Sequence, residues 1–292
     1  MMHRPRRSLL YMPGSNARAL EKAKNLAPDG LILDLEDAVA PDAKALAREQ
    51  IAAAVSARSF GRREVWVRIN ALDTPWWVDD LAMVAAARPD GVLVPKISSP
   101  ADLATVAKQL QVFEAAPELR VWAMIETAFA ILRVEQIAAQ AHDPAMRLAG
   151  FAMGPNDIAR ETRIRMVPGR ATMLPAYMQC ILAARAHGLE ILDGPYGDIA
   201  DAAGLAEECA QSRDMGFDGK TLIHPSQIEA CNAAFTPPAD EVAQARRIVE
   251  AFALPENANR GAIQLDGRMV ERLHAEIARR TLDIADAIAA HN

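Results

Sequence analysis

The chain has 292 residues, a formal net charge of −6, 51% hydrophobic residues and 24% charged residues. That length suits one α/β barrel, which needs about 250 residues, or two smaller domains, and the composition is that of a globular chain with a large core. The negative balance, with no extended basic stripe to offset it, speaks against a nucleic-acid binder.

The first two dozen residues carry Arg4, Arg6, Arg7, Arg18, Lys22 and Lys24 against Glu21 alone. A basic start has the outline of a signal peptide, but Ser8 to Met12 is too short for its apolar core and Pro13-Gly14 breaks the run. From there, strand-like runs alternate with alanine-rich helical patterns. The first strand is predicted over Ser8–Pro13, followed by a helix opened by Ser15 or Asn16 and reaching about Leu26. The second covers Leu31 to Asp37, between the turn signals Pro28-Asp29-Gly30 and Pro41-Asp42, with a helix over about 42–57. Further strands are predicted over Glu64 to Asn70 and Gly91 to Ile97. Their helices run from Trp76 to Ala87, and from a Ser99 cap ahead of Pro100 to about Glu114. The fifth and sixth are Arg120 to Thr127 and Leu148 to Gly154, then a polar insert and a helix over about 173–186. Leu189 to Gly194, a helix over about 201–215, and Phe217 to His224 complete the set. Eight β-then-α units imply parallel strands joined by crossover helices, and eight favours closure into a (β/α)8 TIM barrel over a doubly wound sheet. No G-x-G-x-x-G follows the first strand to support a dinucleotide fold. The barrel is expected over residues 1–235 and a C-terminal helical extension, or lid, over 236–292. In that extension Gly261 to Gly267 reads as a short strand and turn, and Arg268 to Ala290 as one long helix. No run reaches transmembrane length. Cys180, Cys209 and Cys231 lack C-x-x-C spacing, which indicates reduced thiols in a cytoplasmic protein.

Barrels of this kind place their chemistry at the C-terminal strand ends. The residues there are Asp34, Glu36 and Asp37; Arg68 and Asn70; Lys96; Glu126; Asn156 and Asp157; Asp193; and His224. The three acids at the end of the second strand also fit a plainer role as caps of the next helix. Glu126 and Asp157 follow adjacent strands and are the best candidates to share magnesium, which takes one or two protein carboxylates and fills its shell with water and substrate oxygens. Each has a plain alternative at a helix N-terminus. Arg68 sits in an apolar strand, so its guanidinium needs either an anionic ligand or a structural partner such as Glu36 or Asp34. Lys96 has the position of a Schiff-base lysine, although the acids favour a metal route. His224 fits a satisfied core histidine, and Asp193-Gly194-Pro195 a tight turn.

The strings RSLLYMPGSNARALEKAKNL and GLILDLEDAVAP, with VWVRIN, GVLVPKI, WAMIETA, GLEILDGPYGDI and GFDGKTLIHPSQIEACNAAF, resemble the citrate lyase β-subunit-like family. That family includes malyl-CoA and citramalyl-CoA lyases within the HpcH/HpaI aldolase superfamily, and the resemblance spans positions 6–290. It implies a magnesium-dependent carbon–carbon lyase that splits a 3-hydroxyacyl-CoA into acetyl-CoA and a 2-oxo acid. Glu126 and Asp157 match the family's magnesium ligands. Arg68 matches the arginine on the substrate oxygens, and Asp34, Glu36 and Asp37 match the acids of its LEDAV motif. The family also uses an acid on the C-terminal lid of a neighbouring subunit, within a motif like GxMID. Here Gly267 to Glu271 reads GRMVE, so Glu271 stands in for that Asp. One extra methylene moves the carboxylate by roughly 1 Å, a displacement that can cost about 100-fold in rate. The metal loop departs too, with Glu161 where a second Asp often stands. These departures keep other outcomes open: thioester hydrolysis, malate synthase-like acetyl transfer, or a citrate lyase β-subunit working on an acyl-carrier-protein thioester. Arg7 and Lys24 are expected on the phosphates of coenzyme A, or else as solvated surface charge. The resemblance further implies a homotrimer or dimer of trimers with small-molecule partners, and neither nucleic acid nor membrane.

Overall fold

Short aliphatic and aromatic runs, buried on both faces, make the strands. In the computed structural model, which describes residues 4–291, these are β1 (Ser8–Pro13), β2 (Gly30–Asp34), β3 (Glu64–Arg68), β4 (Gly91–Val94), β5 (Arg120–Ile125), β6 (Leu148–Met153), β7 (Glu190–Asp193) and β8 (Gly219–Leu222). They pair in sequence order, all parallel, and β1 closes on β8. The expected TIM barrel is therefore present.

Several strands stop short of the predicted ends. The ladder leaves Glu36, Asp37, Asn70, Lys96 and Glu126 in the turns that follow β2, β3, β4 and β5. Between β5 and β6, where the sequence pattern predicts no helix, Ala128–Leu132 and Val134–Ala138 are helical, separated at Arg133, whose φ of −115° and ψ of 12° break the run. Local signals set the other helix starts. Asn16 accepts from Ala19 N at 3.0 Å, and Asp102 accepts from Ser99 N at 2.9 Å ahead of Pro100.

The barrel interior is filled by side chains including Leu9, Ile32, Leu93, Met124 and Leu192 around a pair of tryptophans. Trp66 and Trp122 stack with ring centroids 4.1 Å apart. Glycine at 91 makes the room, since a Cβ there would lie 2.8 Å from Trp66. Arg6 closes the N-terminal end, its guanidinium on Glu64 at 2.6 Å and Glu190 at 2.7 Å, above the Trp122 ring. The three cysteines are buried free thiols.

The chain divides into a unit spanning 6–232 and a second made mainly of 233–292, so the helix Ile228–Phe235 straddles the division. The second unit is not wholly helical. Ala262–Leu265 (β9) and Arg268–Glu271 (β10) form an antiparallel hairpin, and the last helix, Arg272–His291, starts four residues later than the sequence reading placed it. The turn is Asp266-Gly267, with φ of 50° and 77°, the left-handed pair that a two-residue Asp-Gly hairpin requires. Phe252, Ile263, Val270 and Ala275 form this unit's own small core. Among the described residues, no helix is long and apolar enough to cross a membrane.

Candidate active site

Register creates the first element of the site. Asp34 and Arg68 are direct neighbours in the β2–β3 ladder, at the last paired position. Arg68 donates from Nε to Asp34 Oδ1 at 2.7 Å and from Nη2 to Asp34 Oδ2 at 2.6 Å, a bidentate fork. Asp34 also accepts from the N–H groups of Glu36 and Ala38, which folds the turn after β2 back over its own carboxylate. Arg68 Nη1 is left facing Glu36 at 3.1 Å and Asp37 at 3.6 Å, and the guanidinium lies over the Tyr11 ring, 4.8 Å from its centroid. Lys44 completes the turn from below, donating to the carbonyls of Leu35 and Glu36.

The second element joins β4, β5 and β6. Glu126 Oε1 accepts from the backbone N–H of Lys96 at 2.9 Å. On the other side Gly154 presses against it, since a Cβ there would lie 2.5 Å from that of Glu126. Asp157 sits in the first turn of the helix Pro155–Thr162 and pairs with the exposed Arg160. Burial, then the like charges of Glu36 and Asp157, push the Glu126 carboxyl up to about 7. Burial also pushes Glu36 up, against the opposing pull of Arg68 and Lys96. Two carboxylates on one cleft, with only the exposed Arg160 among the described residues in an ion pair with either, fit a hard divalent cation. Magnesium takes one or two protein carboxylates and fills its shell with water and substrate oxygens, which this pair suits.

Tyr11, Asp34, Asp37, Arg68, Glu126 and Asp157 share one cleft of about 370 Å³ with Asn156. A larger one, about 620 Å³, opens at the other end of the barrel beside Arg120 and Arg147. No carboxylate lines it, whereas Asp34, Asp37, Glu126 and Asp157 line the smaller cleft.

Other candidates fall elsewhere. Arg7, expected on coenzyme A phosphates, is buried at the start of β1 and locked on Asp29 at 2.7 and 2.8 Å. Lys24 lies at the C-terminus of the helix Ala17–Ala23, which runs back from the mouth, and pairs with Glu21. Both are at the N-terminal end of the barrel, away from the cleft. Asn70 is tied to Asp80, while His224 is exposed and bonded to Ser226 rather than buried in the core. Lys96 Nζ is held by Glu36, not presented as a free amine. Asp193 is no simple turn residue. It ends β7 fully buried, bound to Lys220 at 2.7 Å, Arg170 at 2.6 Å and Ser212. Glu271 ends β10 in the second unit, where its N–H donates to His274 at 2.9 Å. Sequence reasoning missed Tyr11 and the two cations, Arg170 and Lys220, that hold Asp193; a lysine in the middle of the short strand β8 was the available signal.

Residues 7–225 match the HpcH/HpaI aldolase/citrate lyase family, and the chain belongs to it. It is 48% identical over 286 residues to a (3S)-malyl-CoA thioesterase of Cereibacter sphaeroides, covering 98% of this chain and 96% of that protein. It is 34% identical over 311 residues to the L-malyl-CoA/β-methylmalyl-CoA lyase of the same species, covering 98% and 96%. Among solved structures it resembles the protein CitE from Mycobacterium tuberculosis in complex with magnesium, acetoacetate and coenzyme A, with 29% identity and a TM-score of 0.77 over 98% of this chain and 100% of that one.

Proposed function

We propose that the protein is a magnesium-dependent enzyme acting on a malyl-CoA-type thioester, and that it hydrolyses the thioester bond. The observation that carries the substrate class is the convergence of Glu126, Asp157 and the Arg68 fork on one cleft. The 48% identity to a malyl-CoA thioesterase across 98% of the chain favours hydrolysis.

Glu126 and Asp157 would hold the metal, which when bound supplies Lewis acidity toward the substrate's carboxylate and neighbouring oxygen. Asp34 keeps the Arg68 fork rigid, so Nη1 stabilises charge growing on a reacting oxygen without reorganising first. Glu271, reaching the site from a neighbouring copy in a homo-oligomer as the family resemblance implies, takes a proton from water as the water oxygen bonds to the thioester carbon. The C–S bond breaks, the sulfur leaves with its electron pair, and the proton passes to it. Malate and free coenzyme A result. A glutamate in place of the lid aspartate has an arm longer by roughly 1 Å, which would suit a water placed ahead of the thioester carbon.

The 34% identity to a malyl-CoA lyase favours a second reading. There the substrate hydroxyl loses its proton, the C–C bond electrons pass to the thioester enolate, and the enolate carbon gains a proton. Glyoxylate and acetyl-CoA result. Incubating purified protein with (3S)-malyl-CoA separates the readings by product. Malate and free thiol are expected, lost with EDTA and restored by magnesium. Turnover that survives both EDTA and Glu126→Ala would sink the metal site.

A further inference from the structure

Lys96 stands at the turn after β4, beside Glu36 and Glu126, and takes no part in the proposed chemistry. Its backbone has φ of 55°, a left-handed conformation uncommon for a lysine and costly unless its surroundings require it. From that position it makes two bonds in different directions. Its N–H binds Glu126 Oε1 at 2.9 Å, and its ammonium binds Glu36 Oε1. Neither Lys96 nor Glu36 lines the cleft, whereas Arg68 does. Glu36 is buried, and its Oε2, 3.1 Å from Arg68 Nη1, makes no well-directed hydrogen bond.

The arrangement therefore divides two cations between Asp34 and Glu36. Asp34 takes Arg68 Nε and Nη2 outright, and Glu36 takes the lysine, with Arg68 Nη1 as a poorly aligned second partner. If Glu36 had only Arg68, an arriving anion would have to strip the arginine from a buried carboxylate, a costly exchange. With the lysine in place, Glu36 stays paired when Nη1 gives an N–H to the anion, and the planar fork on Asp34 need not move.

We propose that Lys96 is a positioning residue whose ammonium holds Glu36 so that Arg68 Nη1 is free for an anionic substrate oxygen. The inference rests on the functional reading above in taking that substrate oxygen to be anionic. Its test uses (S)-malate as a probe, with magnesium, by calorimetry at pH 8.5, alongside turnover of malyl-CoA. Lys96→Met should weaken malate binding about 10- to 100-fold, the worth of a hydrogen bond to a charged group. In a Glu36→Gln background the same substitution should cost less than about threefold, because no carboxylate then competes for Arg68. Lys96→Arg should restore part of the loss. Equal losses in both backgrounds would mean that the ammonium meets the ligand directly, and no loss in the first would mean it does nothing here. Either result overturns the proposal. Wild-type protein that binds malate but leaves malyl-CoA intact defeats the functional reading and leaves Lys96 to be decided by the cycle. Wild-type protein that turns over malyl-CoA but binds no malate defeats the Lys96 proposal and leaves the functional reading standing, and protein that does neither defeats both.

Discussion

As the proposed lid acid, Glu271 tests the choice between two reactions most directly, because its one additional methylene relative to the aspartate that the resemblance implies there is a change of length without a change of charge. Glu271→Asp should shift product from malate and free thiol toward glyoxylate and acetyl-CoA, read by chromatography of one reaction mixture. An unchanged ratio would remove the argument from arm length. Arg7 makes the opposite point, since this basic residue, expected on the coenzyme, is buried against an aspartate. Its guanidinium is the counter-charge of buried Asp29, so Arg7→Ala should destabilise the fold by about 3–5 kcal/mol. KM for the thioester should stay where it was. A stable Arg7→Ala protein with a raised KM would return Arg7 to the coenzyme. Composition alone had no means of separating these cases, since burial of Arg7 depends on an aspartate 22 positions away.

At the scale of elements, β7 and β8 carry a buried ion cluster that the sequence shows only as Asp193 at one strand end and Lys220 inside the next strand. Burial pushes the Asp193 carboxyl up, but Lys220 and Arg170 outweigh it and hold the group below its usual range. A group lowered in this way contributes stability above its unfolded value of about 3.9 and loses it as pH falls through the folded value. Asp193→Asn, which leaves two buried cations short of a partner, should cost about 3–5 kcal/mol at pH 7. Denaturant titration should show the gap to wild type closing below about pH 4; a gap constant down to pH 2 would assign the loss to packing instead. The strands themselves were legible, because apolar runs with turn residues on both sides are a local property. Their ends were not. Glu36, Lys96 and Glu126 leave the ladder because their side chains bond across neighbouring turns, at positions 30 and 60 residues apart. The hairpin at Asp266-Gly267 was readable in principle, since Asp-Gly is a strong two-residue turn signal. The helical pattern of Arg272 onward masked the four residues before it.

For the whole molecule, the sharing of a lid acid between copies, proposed from the family resemblance, has a complementation test. Arg68→Ala and Glu271→Ala proteins, each inactive, should regain part of the activity when mixed under conditions that reshuffle subunits. Parents that exchange subunits and stay inactive would place every catalytic group within one chain. The (β/α)8 architecture was foreseeable from eight repeated units, whereas the mouth depended on which carboxylate met which cation. The stacked tryptophans at the barrel axis have a consequence outside chemistry. Two indoles in van der Waals contact share their ultraviolet excitations, so Trp66 and Trp122 should give a paired near-ultraviolet circular dichroism band. Because they come from different strands, the band depends on β3 and β5 keeping their places, while far-ultraviolet signal depends on helices that can persist without them. On heating, an optical probe of this kind would show the barrel opening as its own event.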